Sequence, residues 1–133
     1  GFENYDYHDD IKLYHLLGTP IIEEDGLEIN LSTRPIIGFY EVNLILENKE
    51  KLPEFVRYMQ LVAHYFIHDF VWRNESYNIF FYDFPGDSRL FVKIVPRFLT
   101  NPLYVGYMIA QVANKGHQQR VIEKLRTILS ERK

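Results

Sequence analysis

A chain of 133 residues with 47% hydrophobic and 16% aromatic content is long enough for one domain with a real core and too apolar to be disordered. Its net charge of −3 gives no bulk reason to bind nucleic acid, and the absence of cysteine excludes disulfides and thiolate chemistry. No apolar run approaches the ~20 residues of a membrane span, so neither a membrane nor a nucleic acid is expected as a partner, and a reducing, cytoplasmic setting is the expectation.

In chain order, residues 1–18 show no clean period and read as a loop with one helical turn near Ile11 to Leu17. The stretch TPIIEEDGLEINLS predicts a short hairpin. Ile21 and Ile22 precede an Asp25-Gly26 turn, and Leu27, Ile29 and Leu31 then alternate with Glu28 and Asn30. A long strand is predicted from about Ile36 to Leu46. Phe39, Glu41, Asn43 and Ile45 share one of its faces, and Tyr40, Val42, Leu44 and Leu46 the other.

A helix follows, because Leu52, Phe55, Val56, Met59, Ala63, Phe66, Ile67 and Phe70 fall on one stripe at 3.6-residue spacing. Pro53 sits in its first turn, where a missing N–H costs nothing. SYNIFFYDF is apolar on both faces and predicts a central strand. PGDS turns it, and RLFVKIVPRF returns antiparallel until it meets Pro96. Residues 99–114 read as a long aromatic loop. A last helix uses Val121, Ile122, Leu125, Ile128 and Leu129, with His117 near its start. The order predicts a single α+β domain over residues 1–133: an antiparallel sheet with one long helix and a C-terminal helix.

Charge is unevenly spread. Residues 1–28 hold eight acids and one base, while residues 115–133 hold six bases and two acids. A basic tail for a partner is one reading; two solvated faces that attract each other across the fold is the plainer one, and it is preferred.

Few residues assemble into chemistry by spacing. His64 and His68, four apart on a helix, project from one side, but no third metal ligand accompanies them. They are read as flanking the buried stripe. There is no nucleophile elbow, no glycine-rich phosphate loop and no acid–base pair, so no catalytic residue, no metal and no cofactor is assigned. Asp83 and Asp87 flank a turn, where aspartate bonds the backbone.

One feature of RLFVKIVPRF remains. Leu90, Val92 and Ile94 face a core, so Arg89, Phe91, Lys93 and Val95 face the other way. Arg89 and Lys93 lie about 13 Å apart by the strand rise, and Arg97 follows Pro96. Such cations suit a phosphate. Ordinary surface charge, or a pair with Glu41, is the competing reading. A surface Lys93 predicts that Lys93→Ala leaves folding nearly intact.

SYNIFFYDF followed by RLFVKIVPRF resembles the strand–turn–strand of the histidine-triad superfamily, whose second strand carries alternating histidines shortly before a proline. With LYVGYMIAQVAN, the chain looks more specifically like the C-terminal half of galactose-1-phosphate uridylyltransferase. From about Thr33 onward it is most similar to a bacterial family of uncharacterised proteins that resembles that transferase, through RPIIGFYEVN, SYNIFFY and PRFLTNPLYVGY. Phe91 and Lys93 stand where the resemblance would place paired histidines, and Met108 where it would place a sugar-binding glutamate after Tyr107. A phenyl ring cannot attack phosphorus or bind a metal, and lysine replaces a histidine poorly. The His-Pro-His of such enzymes belongs to an N-terminal half. GFENYDYHDD accordingly reads as the middle of a longer protein.

The resemblance therefore implies a non-catalytic, histidine-triad-like C-terminal domain. It would pack on the N-terminal half of the same protein and line one wall of that half's pocket through Lys93 and the Val105 to Tyr107 segment, and Lys93, Arg89, Arg97, Val105, Tyr107 and Asn114 are the candidate ligand-binding residues. The alternatives are a full-length nucleotidyltransferase or nucleotide hydrolase with its catalytic histidine upstream, and a module that binds a nucleotide or sugar phosphate. A homodimer is a further expected partner.

Overall fold

The computed structural model describes residues 16–33, 40–68, 76–97 and 115–131. Strands β1 (Gly18–Glu24) and β2 (Leu27–Ser32) form the expected hairpin, and β3 (Val42–Leu46) pairs antiparallel with β2. A single 3-10 turn, Lys49–Lys51, leads into helix α1 (Leu52–His68); its cap is Asn48, whose side chain accepts from the Glu50 amide at 3.1 Å. Strands β4 (Ser76–Tyr82) and β5 (Leu90–Arg97) follow, then helix α2 (Lys115–Glu131), which has His117 in its first turn. All pairings are antiparallel and the strand order is β1-β2-β3-β5-β4, giving the α+β architecture the sequence predicts.

Strand alternation sorts the sheet into two faces. Leu27, Ile29 and Leu31 of β2, Val42, Leu44 and Leu46 of β3, and Val92 and Ile94 of β5 point to the helices and form one core with Phe55, Tyr58, Val62 and Phe66 of α1 and Val121, Ile122, Leu125 and Leu129 of α2. Each such side chain, fully buried, stabilises by about 1.5–3 kcal/mol. The β4–β5 turn closes with Asp87 N donating to Phe84 O at 3.0 Å; Pro85 and Gly86 (φ 82°) hold its two central positions. A proline followed by a glycine at positive φ is the signature of a type II turn.

Three expectations are corrected. SYNIFFY is an edge strand, not a central one: β5 lies between β3 and β4 in the sheet and takes the inner place. Its two apolar faces misled because hydrophobicity alone cannot tell a buried strand from an exposed one. The buried stripe of α1 keeps Phe55, Ala63 and Phe66 and adds Tyr58, Leu61, Val62 and Tyr65, while Leu52 and Val56 are each 44% exposed. The tyrosines belong to the core because each carries a large apolar body with a polar tip. Finally, β5 does not stop at Pro96. Its ladder with β3 ends at Ile94, and Pro96 continues the strand opposite Tyr77 of β4. The predicted helical turn at 11–15, the strand start at 36–39, Phe70 and the aromatic loop at 99–114 lie outside the described residues.

Candidate functional site

The face turned away from the helices carries a polar row. Asn30 of β2 pairs in register with Asn43 of β3, and Asn43 with Lys93 of β5. Glu41, two residues before Asn43, reaches the same row diagonally. Asn30, Glu41, Asn43 and Lys93 are each 0% exposed.

Their bonds form two sets. Asn43 Nδ2 donates to Asn30 Oδ1 at 2.8 Å, and Asn30 Nδ2 donates to Leu16 O at 3.1 Å and to Glu28 Oε2 at 2.7 Å. Lys93 Nζ donates to Glu41 Oε1 in a wholly buried ion pair. Burial pushes the Lys93 ammonium below the ordinary lysine range, and the bond and charge of Glu41 act in the opposite direction. The Tyr82 hydroxyl is pushed up, first by burial and then by the negative charge of Glu41.

At one end the row gives way to an aromatic cluster. Leu16, Ile45, Phe84 and Phe91 are buried together, with Tyr82 packed against them. Phe84 meets Phe91 edge-on at 5.2 Å and stacks with Tyr82 at 6.2 Å. Phe91 therefore fills a core, an arrangement that a metal-binding or nucleophilic strand position would not need.

Of the cations read as one strip, the structure separates two. Lys93 is not a surface lysine: its charge is met inside the fold by Glu41, the pairing that was one of the competing readings, and this corrects the expectation that Lys93→Ala leaves folding nearly intact. Arg89 is bonded within the turn. Its Nε and Nη2 donate to Asp87 at 3.0 and 2.6 Å, and its guanidinium carbon lies 4.8 Å from the centre of the Phe91 ring. Arg97 ends β5 opposite Ser76. Val105, Tyr107 and Asn114 lie outside the described residues. His64 and His68 are exposed on α1 with ring centres 4.3 Å apart. Among the described residues, no cluster of three or more His, Cys, Asp or Glu side chains is placed to hold a metal ion.

Sequence reasoning missed Asn30 as a member of the row. The alternation of β2 sets Asn30 and Glu28 on the face opposite Leu27, Ile29 and Leu31 and says nothing of what that face meets. The register brings Asn30 opposite Asn43, and Asn30 is wholly buried there.

The row can do one thing chemically without a ligand: fix register. A one-residue slip of β3 or β5 would carry Asn43 or Lys93 into the apolar core against the helices, with its bonds lost.

Residues 8–129 match a family described as "Domain of unknown function (DUF4931) C-terminal domain". The crystal structure of a DUF4931 family protein from Bacillus cereus ATCC 10987 is similar, with a TM-score of 0.74 and 37% identity; the match covers 92% of this chain and 54% of that one. A curated protein, "Di-/tripeptide transporter" of Lactobacillus helveticus, is 33% identical over 52 residues, which are 39% of this chain and 10% of that protein. The chain thus spans about half the length of the solved relative and a tenth of the curated one. No helix among the described residues is long and apolar enough to cross a membrane.

Proposed function

The chain belongs to the DUF4931 C-terminal domain family, and on that premise we propose that it is the non-catalytic C-terminal domain of a longer, galactose-1-phosphate uridylyltransferase-like protein with a histidine-triad-like fold. It packs on the N-terminal half of that protein and helps to wall its pocket, and any nucleotidyl chemistry on a nucleotide or sugar phosphate belongs to a histidine upstream. One observation carries the reading: Lys93, on the strand where the resemblance would place histidines, has its charge cancelled by Glu41 inside the domain. Phe91 beside it is committed to an aromatic cluster. Strand β5 is built as framework.

The competing reading makes Lys93 a phosphate contact. A full-length protein carrying Lys93→Met with Glu41→Leu tests the two. Replacing both members of a buried ion pair by apolar groups of similar size is tolerated. A framework role predicts nucleotide and sugar-phosphate affinities within about twofold of the wild type. A phosphate contact predicts roughly a 10- to 150-fold loss, the equivalent of one charge-assisted hydrogen bond.

A further inference from the structure

Helix α1 carries two histidines that its packing does not use. Tyr65 and Phe66 are buried against the sheet and fix the rotation of the helix. His64 and His68 therefore lie on its outer side, and both are exposed. Residues four apart on a helix are neighbours, and side chains lean toward the helix N-terminus, so His68 reaches back over His64. Their ring centres are 4.3 Å apart and their planes are tilted by 36°.

A helix C-terminus favours a cation, which gives His68 a reason to sit in the last turn. That reason does not extend to a second imidazole one turn earlier and in contact with the first. Two imidazolium ions at that spacing would repel each other. A shared ligand that accepts both rings in their neutral form removes the conflict.

We propose that His64 and His68 chelate one divalent late transition metal on the outer face of α1, with Cu(II) held most tightly. The ring spacing suits it. A metal about 2.0–2.1 Å from an imidazole nitrogen lies about 3.2 Å from the ring centre. Two such rings have centres about 4.5 Å apart when the nitrogens subtend a right angle at the metal, and about 5.2 Å apart when they subtend a tetrahedral angle. The observed 4.3 Å is nearer the right angle, the geometry of tetragonal Cu(II) and Ni(II). Imidazole suits both metals, and the Irving–Williams order places Cu(II) first. The ring torsions that aim the nitrogens are soft, while the helix holds the two Cβ atoms in place. Two protein ligands with water completing the shell make an open, exchangeable site, unlike the closed four-ligand sites that hold a fold together.

Isothermal titration of the untagged protein with Cu(II), in a non-chelating buffer, tests it. The chain has no cysteine, so no thiolate competes for the metal. One equivalent should bind with a dissociation constant on the order of 10 µM. His64→Ala and His68→Ala should each weaken binding roughly 10- to 100-fold, because the second ligand is held at high effective concentration by the first. The double variant should be no worse than either single one, and circular dichroism should be unchanged in all three. His117→Ala on α2 should bind as the wild type does. A rescue separates the chelate from a merely structural effect. Gln60 is exposed four residues before His64, so adding Gln60→His to His68→Ala rebuilds the spacing one turn earlier and should restore affinity to within about threefold. In the Cu(II) paramagnetic resonance spectrum, two coordinated imidazole nitrogens should become one in either single variant. No saturable binding below about 1 mM overturns the proposal. So does binding that survives both single variants, or a Gln60→His variant that restores nothing. All of these readouts concern α1 alone, so none depends on whether Lys93 contacts a phosphate.

Discussion

Lys93 bonds Glu41 rather than lying free opposite its register partner Asn43, and the diagonal pair ties β5 to the residue that leads into β3. Both side chains are wholly buried. Removing one partner would leave the other charge uncompensated in the interior. Lys93→Met alone and Glu41→Leu alone should each cost about 3–5 kcal/mol, while the two together should come within about 1–2 kcal/mol of the wild type. Urea unfolding of the four proteins measures the coupling. Single variants that lose less than about 1 kcal/mol would show that the pair is solvated after all.

That pair also shows what the sequence could and could not reveal. Strand faces were legible: Val92 and Ile94 enter the core, and Glu41, Asn43 and Ile45 share the opposite face, as alternation demands. Which strands are neighbours was not legible, because register depends on contacts between residues far apart in sequence. Lys93 and Glu41 are 52 positions apart. The same blindness made β4 look central, since its composition suits burial and only the sheet order shows it to be an edge. Arg89 escaped for a local reason. Its partner Asp87 had been read as a turn residue bonding the backbone, which it does through Arg89 N at 2.9 Å, but its carboxylate also holds the guanidinium.

The β4–β5 turn should be sensitive to acid. The bond from Arg89 holds the Asp87 carboxyl below the usual carboxylate range, with burial opposing and the Arg89 amide and charge adding. A depressed folded pKa means that the unfolded chain binds the proton more readily. The stabilisation is therefore present above the unfolded value of about 3.9 and is lost as pH falls through the lower folded value. Wild type should exceed Asp87→Asn in stability at neutral pH, and the gap should close progressively below about pH 4. A gap that is constant across that range would remove Asp87 from the acid response.

Arg126 should matter to β1 more than its partial exposure suggests. It donates to two carbonyls of the bulged edge, from a helix more than a hundred positions away in sequence. Arg126→Ala should cost roughly 1–3 kcal/mol, the scale of hydrogen bonds that involve a charged group. Amide exchange at β1 should quicken before that at β3 or β5, because the latch is local to one edge. Uniform acceleration across the sheet would mean that Arg126 supports the helix rather than the strand.

Two glycines offer a test that separates backbone strain from space. Gly26 and Gly86 have nearly the same positive φ, 78° and 82°, so alanine meets a similar conformational penalty at both, about 1 kcal/mol. Their surroundings differ. A Cβ on Gly26 would stand 2.3 Å from Asn48 Cβ and 2.9 Å from Asn48 N, whereas a Cβ on Gly86 would meet nothing within 4 Å. Gly26 O also accepts from Glu47 N at 2.8 Å and Asn48 N at 3.0 Å, so the hairpin turn cannot draw back without losing these bonds. Gly86→Ala should therefore cost only the conformational term, and Gly26→Ala should exceed it by about 1–3 kcal/mol of overpacking. Thermal or urea unfolding ranks the two. Equal losses would mean that the chain after β3 yields to the extra methyl, and that the turn of the β1–β2 hairpin is not pinned by residues 47–48.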